Sequence, residues 1–405
     1  MEQRLWPRSG DSAVVAVVDI DEKSLAQYGQ WPWSRHLMAE LIRRIAQGSP
    51  LVVGIDIVFA DRDRLSPDEI AREVPGLPPA LADALAQLPP SDRDLAEAIA
   101  GVPTVLALFP SYEEAPRASD PLRVVPILLA GGDPTPWLMS YKFLVQSRPD
   151  LRAAAVAAGS VGVEPDDDGV VRRLALAVIH DGTIIPSFAL EVLRVGGGEQ
   201  KIAVDTGALG IESFKIGSTT IPTDRWGSAI LHFAPSQARY ISAADVLDPA
   251  FDPAELRGQV VLLGVAGVGI AGLRQTPLGL VRGVDLHAQL IEAILFGDLL
   301  RRPPFLDWFE LAVALAAGIT VIWLLRYARP VRAVAIALAI AAALFIVELI
   351  LFRFANLLFD STFPALALLG VLAVMLVGTL RAAENAIVLF SGTFHILRQL
   401  YSANK

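Results

Sequence analysis

The chain divides into two parts by the spacing of its apolar residues. Up to about residue 304, short apolar runs alternate with amphipathic and polar segments, whereas from Phe305 onward apolar residues dominate. Residues 13–18 are a continuous apolar run, typical of a strand that is buried on both faces, and residues 51–59, which include Asp56, predict a second buried strand. Residues 35–47, between them, carry apolar residues at helical spacing. This strand–helix–strand succession predicts a right-handed parallel crossover.

The rest of the first part continues the same alternation. Further elements are predicted as helices over residues 92–100, 185–195 and 283–296 and as buried strands over 104–108 and 259–264. Residues 201–233 alternate in polarity and are rich in Gly and Thr, which favours antiparallel hairpins. Because no linker divides the region, we expect one α/β domain over residues 13–304, with a mixed sheet and covering helices.

Three long apolar runs follow, over residues 308–325, 331–352 and 364–380. A helix needs roughly 17–25 apolar residues to cross a bilayer, and these runs are apolar on all sides. We therefore expect three transmembrane helices within residues 305–381 and a juxtamembrane tail over 382–405. Glu310 and Glu348 lie near the predicted outer ends of their runs, where a carboxylate can reach headgroup water.

The positive charges beside these runs predict an orientation. The first loop and the tail carry most of them, at Arg326, Arg329, Arg332, Arg381, Arg398 and Lys405. Arg301, Arg302 and Arg353 lie on the opposite side and oppose that bias. By the positive-inside rule, we expect a multi-pass protein of the inner (plasma) membrane. Its N-terminal domain would be periplasmic or extracellular and its C-terminus cytoplasmic.

Composition excludes several classes of function. The 405 residues carry a net charge of -9 without a long basic stretch, which argues against nucleic acid as a partner. The chain has no cysteine, so disulfides and thiolate chemistry are excluded. We find no GxSxG elbow, Walker A loop or paired-histidine metal motif, and we expect no catalytic site, cofactor or metal. Residues 267–272 spell GxGxxG, but Pro277 follows where a dinucleotide loop requires a helix.

Acidic residues at strand ends are the main candidates for a ligand site. Asp19 and Asp56 lie at or near the carboxyl ends of buried strands, the edge at which α/β folds bind ligands. Asp21 and Asp168 could join them in a polar or metal-binding cleft, although capping and turn formation also explain such acids. The remaining candidates are Arg35, Arg172, Arg173, His287 and Trp31. Trp31 fits either a stacking platform or an anchor of its loop.

A series of short motifs follows in a characteristic order. They are DIDEKSL (19–25), GQWPWSR (29–35), GIDIVF (54–59), DRDLA (92–96), DGVVRR (168–173), PSFA (186–189), VVLLG (260–264), TPL (276–278) and GVDLHA (283–288). In this order they resemble the CHASE2 family, the extracytoplasmic sensor domains of bacterial signalling receptors. The resemblance implies an unknown small ligand or stimulus, a homodimer, and a cytoplasmic cyclase, kinase or diguanylate-cyclase effector.

Two departures from the family pattern bear on this interpretation. Family members usually carry a transmembrane helix before the domain and an effector module after the last helix, and this sequence shows neither. We therefore expect that the start is placed too late or that the sequence is trimmed. Two alternatives stay open: a membrane-anchored metal-dependent enzyme with a site among Asp19, Asp56 and Asp168, and a partner-binding structural membrane protein.

Overall fold

The computed structural model describes residues 2–8, 14–113, 124–235, 239–267, 272–303, 305–327, 330–378 and 381. It divides into two units, Met1–Arg301 and Arg302–Lys405. The predicted tail over 382–405 and most of the GxGxxG stretch lie outside the described residues.

The elements of the first unit alternate along the chain much as the apolar pattern predicts. Its strands are β1 (Val15–Ile20), β2 (Val52–Ile55), β3 (Thr104–Ser111), β4 (Ile127–Gly131), β5 (Ser140–Tyr141), β6 (Phe143–Val145), β7 (Ala157–Ser160), β8 (Arg173–Ala175), β9 (Ala177–His180), β10 (Thr183–Pro186), β11 (Ile202–Gly207), β12 (Gly210–Ile216), β13 (Thr219–Pro222), β14 (Ser228–Ile230), β15 (Arg239–Ser242), β16 (Val260–Val265), β17 (Leu273–Thr276) and β18 (Gly279–Arg282). Its helices are α1 (Glu2–Leu5), α2 (Glu22–Tyr28), α3 (Arg35–Gln47), α4 (Pro67–Glu73), α5 (Pro79–Ala86), α6 (Ser91–Ala100), α7 (Pro149–Ala154), α8 (Phe188–Gly196), α9 (Ala243–Leu247) and α10 (Gly283–Phe296), with short 3-10 turns at Thr135–Trp137 and Pro253–Leu256.

The central sheet is parallel over most of its width. Its order is β15-β1-β16-β2-β3, and β3 also pairs with β7 in parallel and with β6 antiparallel. The predicted mixed α/β fold is thus confirmed. The strands β1 and β2 are parallel but not adjacent, because β16 lies between them and pairs with both.

Alternate residues of β1 face two different apolar layers. Val15 and Val17 pack with Phe188 of α8 and the residues of α10, whereas Ala16 and Val18 pack with α3 and α6. All are fully buried, as expected of a sheet covered on both faces. Gly264 lets α10 approach β16 closely, because a Cβ there would lie 2.9 Å from the Val284 side chain.

Smaller sheets flank the central one, and some predicted boundaries move. The strands β11, β12 and β13 form the predicted antiparallel hairpins, and β4 adds to β11 in parallel. The predicted helix over 185–195 begins later, at Phe188, because Thr183–Pro186 pairs as a strand with β9. Ser187 then caps α8 by accepting a hydrogen bond from the Leu190 amide. The predicted strand over 51–59 ends at Ile55.

The second unit consists of apolar helices. These are α11 (Phe305–Tyr327), α12 (Pro330–Ala355) and α13 (Thr362–Gly378). Two stretches are long and apolar enough to cross a membrane, Phe305–Trp323 and Val334–Ala355; α13 is shorter within the described residues. The third predicted span therefore stays a prediction, and its last two residues lie outside the described part of the chain.

The two acids within the apolar helices, Glu310 and Glu348, both form hydrogen bonds with the short segment that connects α12 to α13. Glu310 accepts hydrogen bonds from the Asp360 amide (2.8 Å) and from Arg302 Nη2 (2.8 Å). Glu348 accepts from the Ser361 amide (3.2 Å) and from the Ser361 hydroxyl. Both carboxylates thus bind the chain between α12 and α13, which gives each buried acid polar partners.

Candidate functional site

A cavity of about 370 Å³ lies at the carboxyl edge of the parallel sheet. It is bounded by the ends of β16, β2 and β3, by the segment after β7 and by the first turns of α10. Most of its wall is apolar, formed by Val58, Phe109, Val145, Val161, Val163 and Val284. Its polar lining residues include Asp56, His287 and Arg274. We call this the strand-edge cavity. This is the edge at which parallel α/β sheets bind ligands.

Asp56 follows β2 directly, and a backbone hydrogen bond fixes its position at the edge of the sheet. Its amide donates to the Leu263 carbonyl at 2.9 Å, which extends the pairing of β2 with β16 by one residue. Within the described part of the chain, the half-buried carboxyl accepts no hydrogen bond. Burial, aided by the nearby carboxylate of Asp285, raises the pKa of Asp56 to about 7. The group is therefore poised between charged and neutral near neutral pH.

His287 lies on the first turns of α10 and is only 3% exposed. Its ring packs edge-on against Phe188, with 5.2 Å between the ring centroids. Among the described residues, its Nδ1 atom has no hydrogen-bond partner. Burial lowers the pKa of His287 to about 4, so the imidazole is neutral near pH 7. A neutral imidazole offers one donor and one acceptor.

A second polar group lies beside the cavity, centred on Arg282. This side chain forms ion pairs with Asp19 and with Asp285, the latter through two hydrogen bonds of 3.0 and 3.1 Å. The guanidinium also stacks on Tyr240, 4.4 Å from the ring centroid. Burial raises the pKa of Asp19 to about 6, although Arg282 acts in the opposite direction. Arg282 was not among the residues predicted from the sequence. It could have been found as an arginine that immediately precedes a helix with an acid, Asp285, in its first turn.

Asp21 and Trp31 have local structural contacts. Asp21 caps α2 and accepts hydrogen bonds from Ser24 and from the Ser242 hydroxyl, at 2.7 to 2.9 Å. Burial acts to raise its pKa, but these hydrogen bonds lower it overall. Trp31 is partly buried against the core beside Trp33, with 6.5 Å between their rings.

Arg35 contacts the loop after β2. Its Nε lies 3.1 Å from Asp92, and its Nη2 donates to the Asp61 carbonyl at 2.8 Å. The guanidinium also stacks on Phe59, 4.6 Å from the ring centroid. The structure thus separates Trp31 and Arg35 from the lining of the strand-edge cavity, while Asp21 serves as a helix cap.

Asp168, Arg172 and Arg173 line a second and larger cleft of about 770 Å³. Arg172 forms a bidentate pair with Asp168, at 2.7 and 2.8 Å, which lowers the pKa of that exposed carboxyl to about 2. Two tryptophans, Trp137 and Trp226, lie against each other at its wall. We call this the tryptophan cleft. The predicted grouping of Asp168 with Asp19 and Asp56 is not found in this structure.

The chain after β7 separates the two cavities. Val161 and Val163 line the strand-edge cavity, whereas Gly162 and Glu164 line the tryptophan cleft. The Val161 amide donates to the Leu108 carbonyl at 2.9 Å, and Glu164 accepts a hydrogen bond from the Tyr141 hydroxyl at 2.8 Å. A wall one residue thick therefore lies between two sites that could each hold a ligand.

Comparison with models of known protein families gave a match to this sequence. The model of the CHASE2 domain matches residues 1–327, most of the chain. This chain belongs to the CHASE2 family. The match confirms the resemblance noted in the sequence, and it extends beyond residue 304 through α11. CHASE2 is a family of sensor domains. Searches among curated proteins and among solved structures gave no match.

Metal-ligating side chains do not cluster where the structure is described. Within those ranges, no group of three or more His, Asp or Glu residues is arranged to hold a metal ion. Asp56 and His287 share a cavity as two possible ligands, and Arg282 already engages Asp19 and Asp285. The metal-dependent enzyme thus stays a hypothesis without a ligand cluster in the described chain.

Proposed function

We propose that this CHASE2 chain is the input module of a membrane-bound signal receptor. Its first unit senses a stimulus outside the cytoplasm, and its apolar helices relay the signal, within a homodimer, to a cytoplasmic effector. The effector would be a cyclase, a kinase or a diguanylate cyclase. Membership of a sensor family and two helices of membrane-spanning length support this proposal.

The observation that carries the proposal is the unpartnered polar pair in the strand-edge cavity. Asp56 and His287 line one cavity, and neither the Asp56 carboxyl nor His287 Nδ1 is hydrogen-bonded within the described chain. Buried polar atoms are rarely left without partners, so an exception calls for an explanation such as a bound water, ion or ligand. A ligand that supplies these hydrogen bonds would explain the presence of the pair in a mostly apolar cavity.

The helix α10 is the element that a ligand would displace. It contributes Gly283, Val284 and His287 to the cavity and ends at Phe296, shortly before α11 begins at Phe305. A ligand shifts a conformational equilibrium only by its differential affinity for the two states. A ligand that binds α10 differently in two positions could therefore change the apolar helices that follow it in the chain.

Filling the cavity tests this relay without knowledge of the ligand. In the cysteine-free chain, Val331→Cys places one thiol at the exposed start of α12. Val161→Phe would fill the strand-edge cavity, and Leu128→Phe, on the exposed strand β4, is the matched control. We expect Val161→Phe to change the maleimide labelling rate of the thiol introduced by Val331→Cys, in permeabilised membranes, by about threefold or more.

The control should leave that rate unchanged. Thermal unfolding of each variant shows whether Val161→Phe retains the folded domain. A folded Val161→Phe protein with an unchanged labelling rate would contradict the relay.

A further inference from the structure

We propose that the strand-edge cavity binds a small apolar molecule that carries a protonated amine. Asp56 and His287 accept the hydrogen bonds of the ammonium group, and the valine wall holds the apolar body. The inference rests on the proposed sensor function and specifies the class of ligand that this site recognises.

The size and wall of the cavity set the apolar part of the ligand. A volume of about 370 Å³ is near the lower end for small-molecule pockets, which are mostly apolar with a few placed polar groups. Val58, Val145, Val161, Val163, Val284 and Phe109 provide such a wall. Each CH₂ group removed from water against this wall favours binding, so a hydrocarbon body fits the cavity better than a polar one.

Two polar residues that line the cavity offer acceptors. The carboxylate of Asp56 only accepts hydrogen bonds when ionised, and Nδ1 of a neutral His287 accepts when the proton is on Nε2. Neither group has a donor within the described chain, so a ligand with several N–H donors satisfies both. An ammonium group has three donors and no acceptor.

The surrounding charges favour a cation over an anion. Asp19 and Asp285 share the guanidinium of Arg282, and the Asp285 carboxylate also acts on Asp56. Arg282 is thus already engaged, and no ion pair to Asp56 is found among the described residues. Arg274 also lines the cavity, but its side chain is exposed, so water and salt screen its charge. An anionic ligand would meet the Asp56 carboxylate, whereas a cation would pair with it.

Calorimetry on the full chain in lipid nanodiscs tests the ligand class. The probes are butylamine, hexylamine and octylamine, each compared with the alcohol and the carboxylate of the same carbon skeleton. Empty nanodiscs are subtracted to remove partitioning into lipid. We expect at least one amine to bind about tenfold or more tightly than its alcohol, since a charge-assisted hydrogen bond is roughly twice as strong as a neutral one.

Two variants and one control locate the binding. Asp56→Asn should abolish the preference for amine over alcohol, and Val161→Phe should abolish binding of both. Asp181→Asn, at an exposed turn with φ of 47°, removes a carboxylate elsewhere and should change nothing. The proposal is overturned if no amine binds, if the alcohol binds as tightly as the amine, or if folded Asp56→Asn protein keeps the preference.

The test of the ligand class can fail independently of the test of the relay. The labelling of the Val331→Cys thiol in the Val161→Phe background involves no amine. If amines fail to bind while Val161→Phe still changes that labelling, the ligand class is wrong and the relay stands. If amines bind as expected while the labelling stays unchanged, the site is a binding site and the relay is wrong.

Discussion

Val163 and Glu164 are neighbours in the chain, yet their side chains line two different cavities. The wall between the cavities follows the period-two alternation of an extended chain. Gly162 of this wall lies close to Pro110: a Cβ atom added at Gly162 would be only 2.6 Å from Pro110 Cγ. Movement of this wall therefore alters both cavities together.

Adding a methyl group to this wall should disturb both sites. We expect Gly162→Ala to displace the wall from Pro110 and to destabilise the domain by roughly 1–3 kcal/mol, as overpacking does. Hexylamine affinity should fall, and calorimetry together with thermal unfolding measures both effects. Gly132→Ala, where a Cβ meets only ordinary contacts at 3.6 Å or more, is the matched control. Unchanged affinity in Gly162→Ala would show that the wall is not shared.

The pKa of Asp56 predicts how stability depends on pH. Its pKa is about 7 in the folded chain against an ordinary value of 3.8, so the folded state binds the proton more tightly. Protonated Asp56 therefore favours the folded state at low pH, and this contribution to the free energy of unfolding is lost as pH rises from about 4 to 7. We expect Asp56→Asn to be more stable than the parent above pH 7, by roughly 1–2 kcal/mol for a partly accessible group.

Denaturant unfolding of the full chain at several pH values checks this expectation. The difference between Asp56→Asn and the parent should shrink toward pH 4, where the parent carboxyl is protonated. Asp181→Asn should show no such trend. A variant that is less stable than the parent above pH 7 would mean that the ionised carboxylate has a stabilising partner.

Proton binding to Asp56 also predicts the pH dependence of amine binding. Asp285 on α10 acts on this carboxyl, and His287 on α10 and Arg274 on β17 line the same cavity. Arg282 and Asp19 are linked to it through the ion pair of Arg282 with Asp285. Because an ammonium pairs only with the ionised carboxylate, hexylamine affinity should fall as pH is lowered below about 7. Hexanol affinity should stay flat over the same range. Amine binding that strengthens toward pH 5 would exclude Asp56 as the acceptor.

Arg282 should be essential to the stability of the sheet edge. Arg282→Met leaves the buried carboxylates of Asp19 and Asp285 without their cation, and removing one member of a buried ion pair costs about 3–5 kcal/mol. Arg282→Lys should recover part of the lost stability, because it keeps the positive charge. The recovery should be incomplete, because an ammonium lacks the planar fork that binds Asp285 twice. Urea unfolding of the full chain measures both, with Arg64→Met, at an exposed position, as the control. An Arg282→Met protein as stable as the control would show that the two carboxylates do not depend on this cation.

The elements of this fold follow closely from local sequence patterns. The predicted helices over 35–47 and 283–296 occur with those bounds, because their apolar spacing and following glycines specify both ends. The order of strands was not predictable in the same way. Residues 260–265 pair between β1 and β2, more than two hundred residues earlier in the chain, and local periodicity carries no information about such pairing.

The candidate site was predictable only in part. Asp56 follows a buried strand, and His287 lies within the GVDLHA motif (283–288), so both were visible in the sequence. Their shared cavity depends on how α10 packs over β16 at Gly264, a tertiary contact. Asp168, Arg172 and Arg173 form one local group, which the short spacing of their motif explains, but they line the other cleft. The residue types alone did not distinguish the two sites.

The central claim is that the first unit senses outside the cytoplasm, and cysteine labelling tests it most directly. In the cysteine-free chain, Ser218→Cys lies on the exposed turn between β12 and β13, and Val331→Cys begins α12. A membrane-impermeant maleimide on intact cells should label the Ser218→Cys variant and leave the Val331→Cys variant unlabelled until the membrane is permeabilised. Protection of the Ser218→Cys variant in intact cells, with labelling only after permeabilisation, would place the domain inside and contradict the account.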